Sequence, residues 1–535
     1  MASAANRHAD VDGDKAGADR NHTILQAFEW YTPGGGNHWR WLHDNAERFA
    51  AMGLTALWLP PPTKAAGDQS TGYDIYDLWD LGEFVKGGKE DGEKRTKYGT
   101  REELEALMKK MREVGISIYI DAVLNHKDGA DETEVFAAHP VDEHERNKDI
   151  GPQEDIEAWT KFTFPGRKGK YSEFTWCFNH FTGVDWNQKE QKKQIYRIEG
   201  NGKKWAKDVM SGDGVDNFDY LMCADIDHSH PDVEKDLIAW GKWMLRTFPI
   251  SGFRFDAVKH MSRSFVAKFI GAVRDEARSI AKEKGLDVDE SEGPICFAVG
   301  EEWTPDIGKI NEWLGRFGDE QFSLFDVPLH YKFKAAGDAG DQFDLRGLLD
   351  NTLLSSRPMD AVTFVENHDT QAGQALESTV SPTFKPLAYA TILLRPDGYP
   401  CIFLGDLDGC HGEGDSQPSV PPMSSLDKFI LARSRFSYGE LRDYRDHPSC
   451  VGWVRMGTED KDFKNGLAVV MSVGQEGSKR MEVGTQHKGK EFADLLGWHQ
   501  GTIKVEDDGW ADFKCSGQSV SIWVLKEEKE ALDQQ

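Results

Sequence analysis

Eight short runs of apolar and β-branched residues recur along the chain, each followed by an amphipathic helical stretch. The runs cover residues 23–30, 56–60, 117–123, 252–258, 296–302, 323–328, 361–369 and 400–406. Each is short and apolar throughout, which reads as a strand buried on both faces of a parallel sheet. The helical stretches begin near His38, Thr100, Pro231, Ser262, Asp306, Phe343, Thr383 and Leu426. The second opens on Thr100-Arg-Glu-Glu103, a capping box ahead of Leu104, Leu107 and Met111. Strand–helix alternation repeated eight times predicts an α/β protein of the (β/α)8 barrel type.

The rhythm breaks twice. Roughly a hundred residues separate the third strand from the helix at Pro231, too many for a plain loop. They predict an inserted subdomain over 125–230, between barrel segments 23–124 and 231–437. After Tyr438 the pattern alternates in strand fashion between Gly- and Asp-rich turns, which predicts a C-terminal antiparallel β-sandwich over 438–528. Residues 1–22, rich in Ala, Asp and Gly, read as a disordered tail, and 529–535 as a frayed end.

Charge and cysteine usage narrow the function. The net charge of −27 disfavours nucleic acid and anionic membranes as partners, whereas a neutral polysaccharide meets no repulsion. No apolar run reaches the ~18 residues of a membrane span. The N-terminus shows no apolar core of a secretory signal, so a cytoplasmic location is expected. The seven cysteines are scattered, with no CxxC pair, and read as free thiols rather than a zinc site. Oligomeric state leaves no trace in the sequence.

Polar residues gather where the strands end, which is where barrel loops build active sites. Asp121, Asn125 and His126 follow the third strand; Arg254, Asp256, Lys259 and His260 the fourth; Glu301 the fifth; His368 and Asp369 the seventh. One acidic residue at a strand end is ordinarily a cap or an ion pair. Carboxylates at successive barrel mouths, with Arg and His beside them, suit glycosidic cleavage. That reaction needs one carboxylic acid to protonate the leaving oxygen and a second carboxylate to attack or to activate water.

Asp121-Ala-Val-Leu-Asn-His126, Gly252-Phe-Arg-Phe-Asp-Ala-Val-Lys-His260, Gly300-Glu-Glu-Trp303 and Phe364-Val-Glu-Asn-His-Asp369 resemble, in order, the four motifs of the α-amylase family, glycoside hydrolase family 13. Ile24-Leu-Gln-Ala-Phe-Glu-Trp30 and Lys97-Tyr-Gly-Thr100 extend the likeness to the bacterial liquefying branch, and the acidic, leaderless chain is most similar to that branch's intracellular fungal members. The resemblance implies retaining endo-hydrolysis of α-1,4-glucans. Asp256 would be the nucleophile, Glu301 the acid/base and Asp369 the transition-state stabiliser. Arg254, two residues before Asp256 on the same strand face, would keep it ionised. His126 and His368 would bond sugar hydroxyls, and Tyr73 would stack on the sugar at the cleaved unit. Lys259, His260 and Trp303 would meet the leaving-group side.

The resemblance also implies one structural Ca2+, held by Asn125, Asp219, Asp225 and the His260 carbonyl. Further metal sites of the bacterial branch lack their carboxylates here, at Thr182, Ala206, Ser449 and Val473. The same carboxylates serve an α-glucanotransferase equally well, so transfer is the alternative activity. An inactive glucan-binding protein is the alternative of another class, and the presence of all three carboxylates speaks against it.

Overall fold

The computed structural model describes residues 20–534, apart from 89–91, 201, 213, 287, 289–293, 319, 413–418 and 461. Most of the expected N-terminal tail, residues 1–19, lies outside the described residues.

Eight parallel strands close into a barrel: Ile24–Gln26, Ala56–Leu59, Ser117–Ala122, Gly252–Phe255, Phe297–Gly300, Ser323–Phe325, Ala361–Phe364 and Tyr399–Phe403. Each pairs with its sequence neighbours, and the first closes on the last at Ile24↔Cys401. Every residue of the fourth, fifth, seventh and eighth strands is buried, as a barrel covered by helices requires. Aromatic side chains fill the interior: Trp58, Tyr119, Phe297, Phe325, Phe364 and Tyr399 form one buried cluster.

The helices follow their sequence signals. In Arg101–Glu113 the Thr100 side chain accepts from Glu103 N and Glu103 accepts from Thr100 N, completing the capping box. The helix expected near Phe343 is a correction. The chain turns helical directly after the sixth strand, over Val327–Ala339, and at Phe343 only short 3-10 turns flank it. Asp326 caps this helix by accepting from Leu329 N, and Pro328 occupies its first turn, where no amide is needed. The C-terminus is a second correction. Instead of fraying, Lys526–Leu532 forms a helix of strong helix formers, with Leu532 packed on the core and Asn465 donating to Glu528.

Between the third strand and the helix Pro231–Thr247 lies a six-stranded sheet in the order His126–Lys127, Ala224–Ile226, Phe181–Asn187, Lys192–Ile198, Glu132–Pro140, Glu154–Lys161. Its first strand starts four residues after the barrel strand ends, so the sheet grows out of the barrel mouth. The C-terminal region has a six-stranded antiparallel sheet that includes Cys450–Arg455, Leu467–Ser472 and Ser519–Leu525. A two-stranded sheet, Gly477–Glu482 with Trp510–Cys515, accompanies it. No helix among the described residues is long and apolar enough to cross a membrane.

Candidate active site

The fourth strand runs between the third and fifth, with Arg254 opposite Asp121 on one side and Val299 on the other. The hydrogen-bonded ladder continues one residue past the strands: Asp256 N donates to Ala122 O and Glu301 N to Phe255 O. Asp256 and Glu301 therefore leave the barrel at adjacent positions. Ala257, immediately after Asp256, holds a left-handed backbone (φ 47°, ψ 45°), a costly conformation for a residue with a Cβ that turns the chain sharply over the barrel mouth.

Arg254 is 1% exposed and joins the cluster. Its Nη1 donates to both oxygens of Asp121 (2.8 and 3.0 Å) and to Asp256 (2.8 Å), and its Nη2 donates to Glu301. Asp121 also accepts from the Trp58 indole at 3.0 Å and the Tyr73 hydroxyl at 2.9 Å. The guanidinium sits 4.7 Å from the Trp58 ring centroid, an attractive position for a buried cation.

The carboxyl groups do not share one protonation tendency. Burial raises Glu301 to about 8, against the pull of Arg254 and with the charges of Asp369 and Asp256 adding to the rise. Burial and the neighbouring charge of Asp256 bring Asp369 to about 7. Asp121, buried but facing Arg254, rises to about 6. Burial and Arg254 hold His368 well below the usual imidazole range, so its ring is neutral. Gln26 donates to its Nδ1 at 3.1 Å.

A wall of rings borders the carboxylates. Tyr73 stacks on His368 at 5.0 Å and 7°, and on Trp30 at 6.3 Å and 3°. His126 Nε2 bonds the Tyr73 carbonyl at 2.8 Å. The fold thus unites Asp256, Glu301, Arg254, Tyr73, His126, His368 and Asp369. Lys259 and His260 lie on the turn Val258–His260, against Phe218: the ammonium is 3.9 Å from its ring centroid, and the imidazole bonds its carbonyl. Burial lowers His260 to about 3. Trp303 donates to the Tyr331 hydroxyl at 3.3 Å. Trp58, Gln26 and Tyr331 were not anticipated from sequence. Their positions in the cluster come from contacts between residues far apart in sequence, which carry no local spacing.

Beside this cluster is a group of oxygens without enough hydrogens. Asn125 Oδ1 is buried and has no hydrogen-bond partner. Burial raises Asp219 to about 7, and burial plus the Asp219 charge drive Asp225 well above the usual range. Asp225 pairs in register with His126, and the amide of Ile226 donates to Asn125 O, so the oxygens approach one another where the inserted sheet meets the barrel. The donor set of amide oxygen and paired buried carboxylates suits a hard cation. Among the described residues no three His, Cys, Asp or Glu side chains form a metal cluster, so Asn125 and backbone oxygens would have to complete this one.

A closed parallel barrel with paired carboxylates at its strand ends is the architecture of the barrel glycoside hydrolases. The chain belongs to the α-amylase family: residues 39–425 match its catalytic domain and 467–524 its C-terminal domain. It is 44% identical to an α-amylase of Geobacillus stearothermophilus, covering 95% of this chain and 88% of that one. It is 43% identical to a glucan 1,4-α-maltohexaosidase of Bacillus sp. (strain 707), covering 95% and 93%. A cytoplasmic α-amylase of Escherichia coli (strain K12) is 38% identical, covering 95% and 99%. Among solved structures, an α-amylase from Geobacillus thermoleovorans in complex with acarbose shares the fold at a TM-score of 0.59 and 17% identity, covering 95% and 99%.

Proposed function

We propose that this enzyme hydrolyses internal α-1,4-glucosidic bonds of starch, glycogen or maltooligosaccharides with net retention, in the cytoplasm like its Escherichia coli relative. The observation that carries the reading is the Arg254 fork, with Asp256 on one η nitrogen and Glu301 on the other. Two carboxyls on one guanidinium favour the short ~5–5.5 Å spacing of retaining enzymes over the ~6.5–9.5 Å that admits an attacking water.

Asp256 attacks the anomeric carbon while Glu301, carrying a proton near neutral pH, delivers it to the leaving oxygen. The glycosyl–Asp256 ester is then cleaved by water that Glu301, now a base, deprotonates. Asp369 stabilises the positive charge that builds on the sugar ring between these steps. His126 and His368 bond hydroxyls of that sugar, and the Tyr73 ring stacks on it. Lys259, His260 and Trp303 line the leaving-group side.

We further propose one structural Ca2+ among Asn125, Asp219, Asp225 and the His260 carbonyl. The unpartnered Asn125 oxygen supports it, as does the mutual repulsion of Asp219 and Asp225, which a cation would reverse. The ion would tie the inserted sheet to the turn after Asp256. Lys203 Nζ, 3.6 Å from Asp227, supplies positive charge nearby without a second metal.

The test is incubation with soluble starch and, separately, with a maltooligosaccharide, sizing the products over time and following the first ones by NMR. Mixed oligosaccharides released early, in the α configuration, are expected. β-Anomers would overturn retention, and products longer than the supplied maltooligosaccharide would assign the enzyme to transfer.

A further inference from the structure

All seven cysteines are free thiols, spread over more than three hundred positions, and two of them meet in the folded chain. Cys450 opens the strand Cys450–Arg455 of the larger C-terminal sheet, and Cys515 ends the strand Trp510–Cys515 of the smaller one. Gly477, the register partner of Cys515, lies between them. A Cβ at Gly477 would stand 2.6 Å from the Cys450 sulfur and 3.1 Å from the Cys515 sulfur. Both sulfurs therefore border a notch that only glycine leaves open.

The two thiols are unequal. Cys515 beside it, with help from Lys479, draws the Cys450 thiol below the usual range against the effect of burial. The same contact and burial push Cys515 up. The other five thiols are apart from this pair, and burial raises those of Cys177, Cys223, Cys296, Cys401 and Cys410. Cys450 keeps 7% of its surface exposed while Cys515 keeps none. A thiolate is the nucleophile in disulfide exchange, so the chain holds one attacking sulfur with a second beside it to resolve the product.

We propose that Cys450 and Cys515 are a site of oxidative modification, a latent disulfide between the two C-terminal sheets that closes by exchange with a small-molecule disulfide. The Cys450 thiolate attacks one sulfur of the reagent, forming a mixed disulfide and expelling one small thiolate. Cys515 then loses its proton, attacks the Cys450 sulfur and expels the second small thiolate. The protein gives up two electrons and two protons, and one reagent disulfide becomes two thiols. The bond cross-links the ends of a 450–515 loop and restricts the unfolded chain.

The full-length protein, incubated with oxidised glutathione, alkylated in denaturant and digested, should yield a peptide pair joined through Cys450 and Cys515. That pair should be lighter by two hydrogens than the separate peptides, and dithiothreitol should release it. Tm should rise on oxidation and return on reduction. Cys515→Ser should stop at a glutathione adduct on Cys450, whereas Cys450→Ser should leave Cys515 unmodified. Cys450→Ala, which adds no buried hydroxyl, repeats the second arm, and unchanged starch hydrolysis before oxidation certifies each variant as folded. Recovery of both residues as free thiols after excess reagent would overturn the proposal. So would glutathione on Cys515 in either Cys450 variant, or a link from Cys450 to any other cysteine.

Discussion

Arg254 spreads the N–H groups of its two η nitrogens over three carboxylates, and that shared cation organises the chemistry. Removing the charge of Asp256 or Asp369, or the transferable proton of Glu301, should abolish transition-state stabilisation while sparing the barrel: Asp256→Asn, Glu301→Gln and Asp369→Asn should each lower kcat at least ~10³-fold. Circular dichroism should show native folding, and near-native turnover in any of the three would reassign its role. Glu301 must hold a proton to act as the acid, and burial sets that proton's loss at about 8. Profiles of kcat/KM against pH should therefore fall on the alkaline side near pH 8, and an alkaline limb near the ordinary carboxyl value would contradict the assignment. The residues of these motifs were legible because Arg254 and Asp256 sit two apart on one strand face. Trp58 was not, since its indole reaches Asp121 across the sheet and its sequence context reads only as a buried strand.

At the scale of elements, the junction of inserted sheet and barrel decides how firmly the nucleophile turn is held. Asn125 leaves the third strand, Asp225 lies in Ala224–Ile226, and His260 ends the turn that begins at Ala257. Stripping metal with a chelator should lower Tm and activity together, and elemental analysis should return one Ca2+ per chain. At a hundredfold excess over its dissociation constant the ion stabilises by about 2.7 kcal/mol. Three ions per chain would refute the single site, and full activity after exhaustive chelation would refute the site altogether. All eight barrel strands were readable from apolar runs, with ends too long by a few residues. The sixth run hid a helix start, because Asp326-Val-Pro328 is apolar enough to prolong a strand while Asp326 is in fact a cap. The terminal helix escaped because charge alone suggested solvent, and it packs on the strand Glu491–Asp494, more than thirty residues back, as well as on the strand just before it.

For the whole molecule, buried carboxyls make stability fall as pH rises. Glu301 and Glu366 both titrate at about 8 when folded, each raised first by burial. Unfolded, they lose their protons near 4.3. Between those values the folded state binds more protons, so stability declines with rising pH by up to about 1.4 kcal/mol per unit for each group. Buried His38 and His330, lowered to about 4, act oppositely, but only below the unfolded imidazole value near 6.5. From pH 6.5 to 8 the carboxyls act without them. Urea midpoints in calcium-saturated buffer should drop across that window, and Glu366→Gln should flatten the slope; a rising midpoint would refute the balance. The barrel's seam adds a constraint of time. The first strand finds its second partner only at Tyr399–Phe403, and Asn21 donates to the carbonyl of Arg433, 412 positions on. A ribosome adds about 5–20 residues per second, so the opening strand waits some tens of seconds with one edge unpartnered. During synthesis, that start of the chain is where a holding chaperone has the longest opportunity to bind.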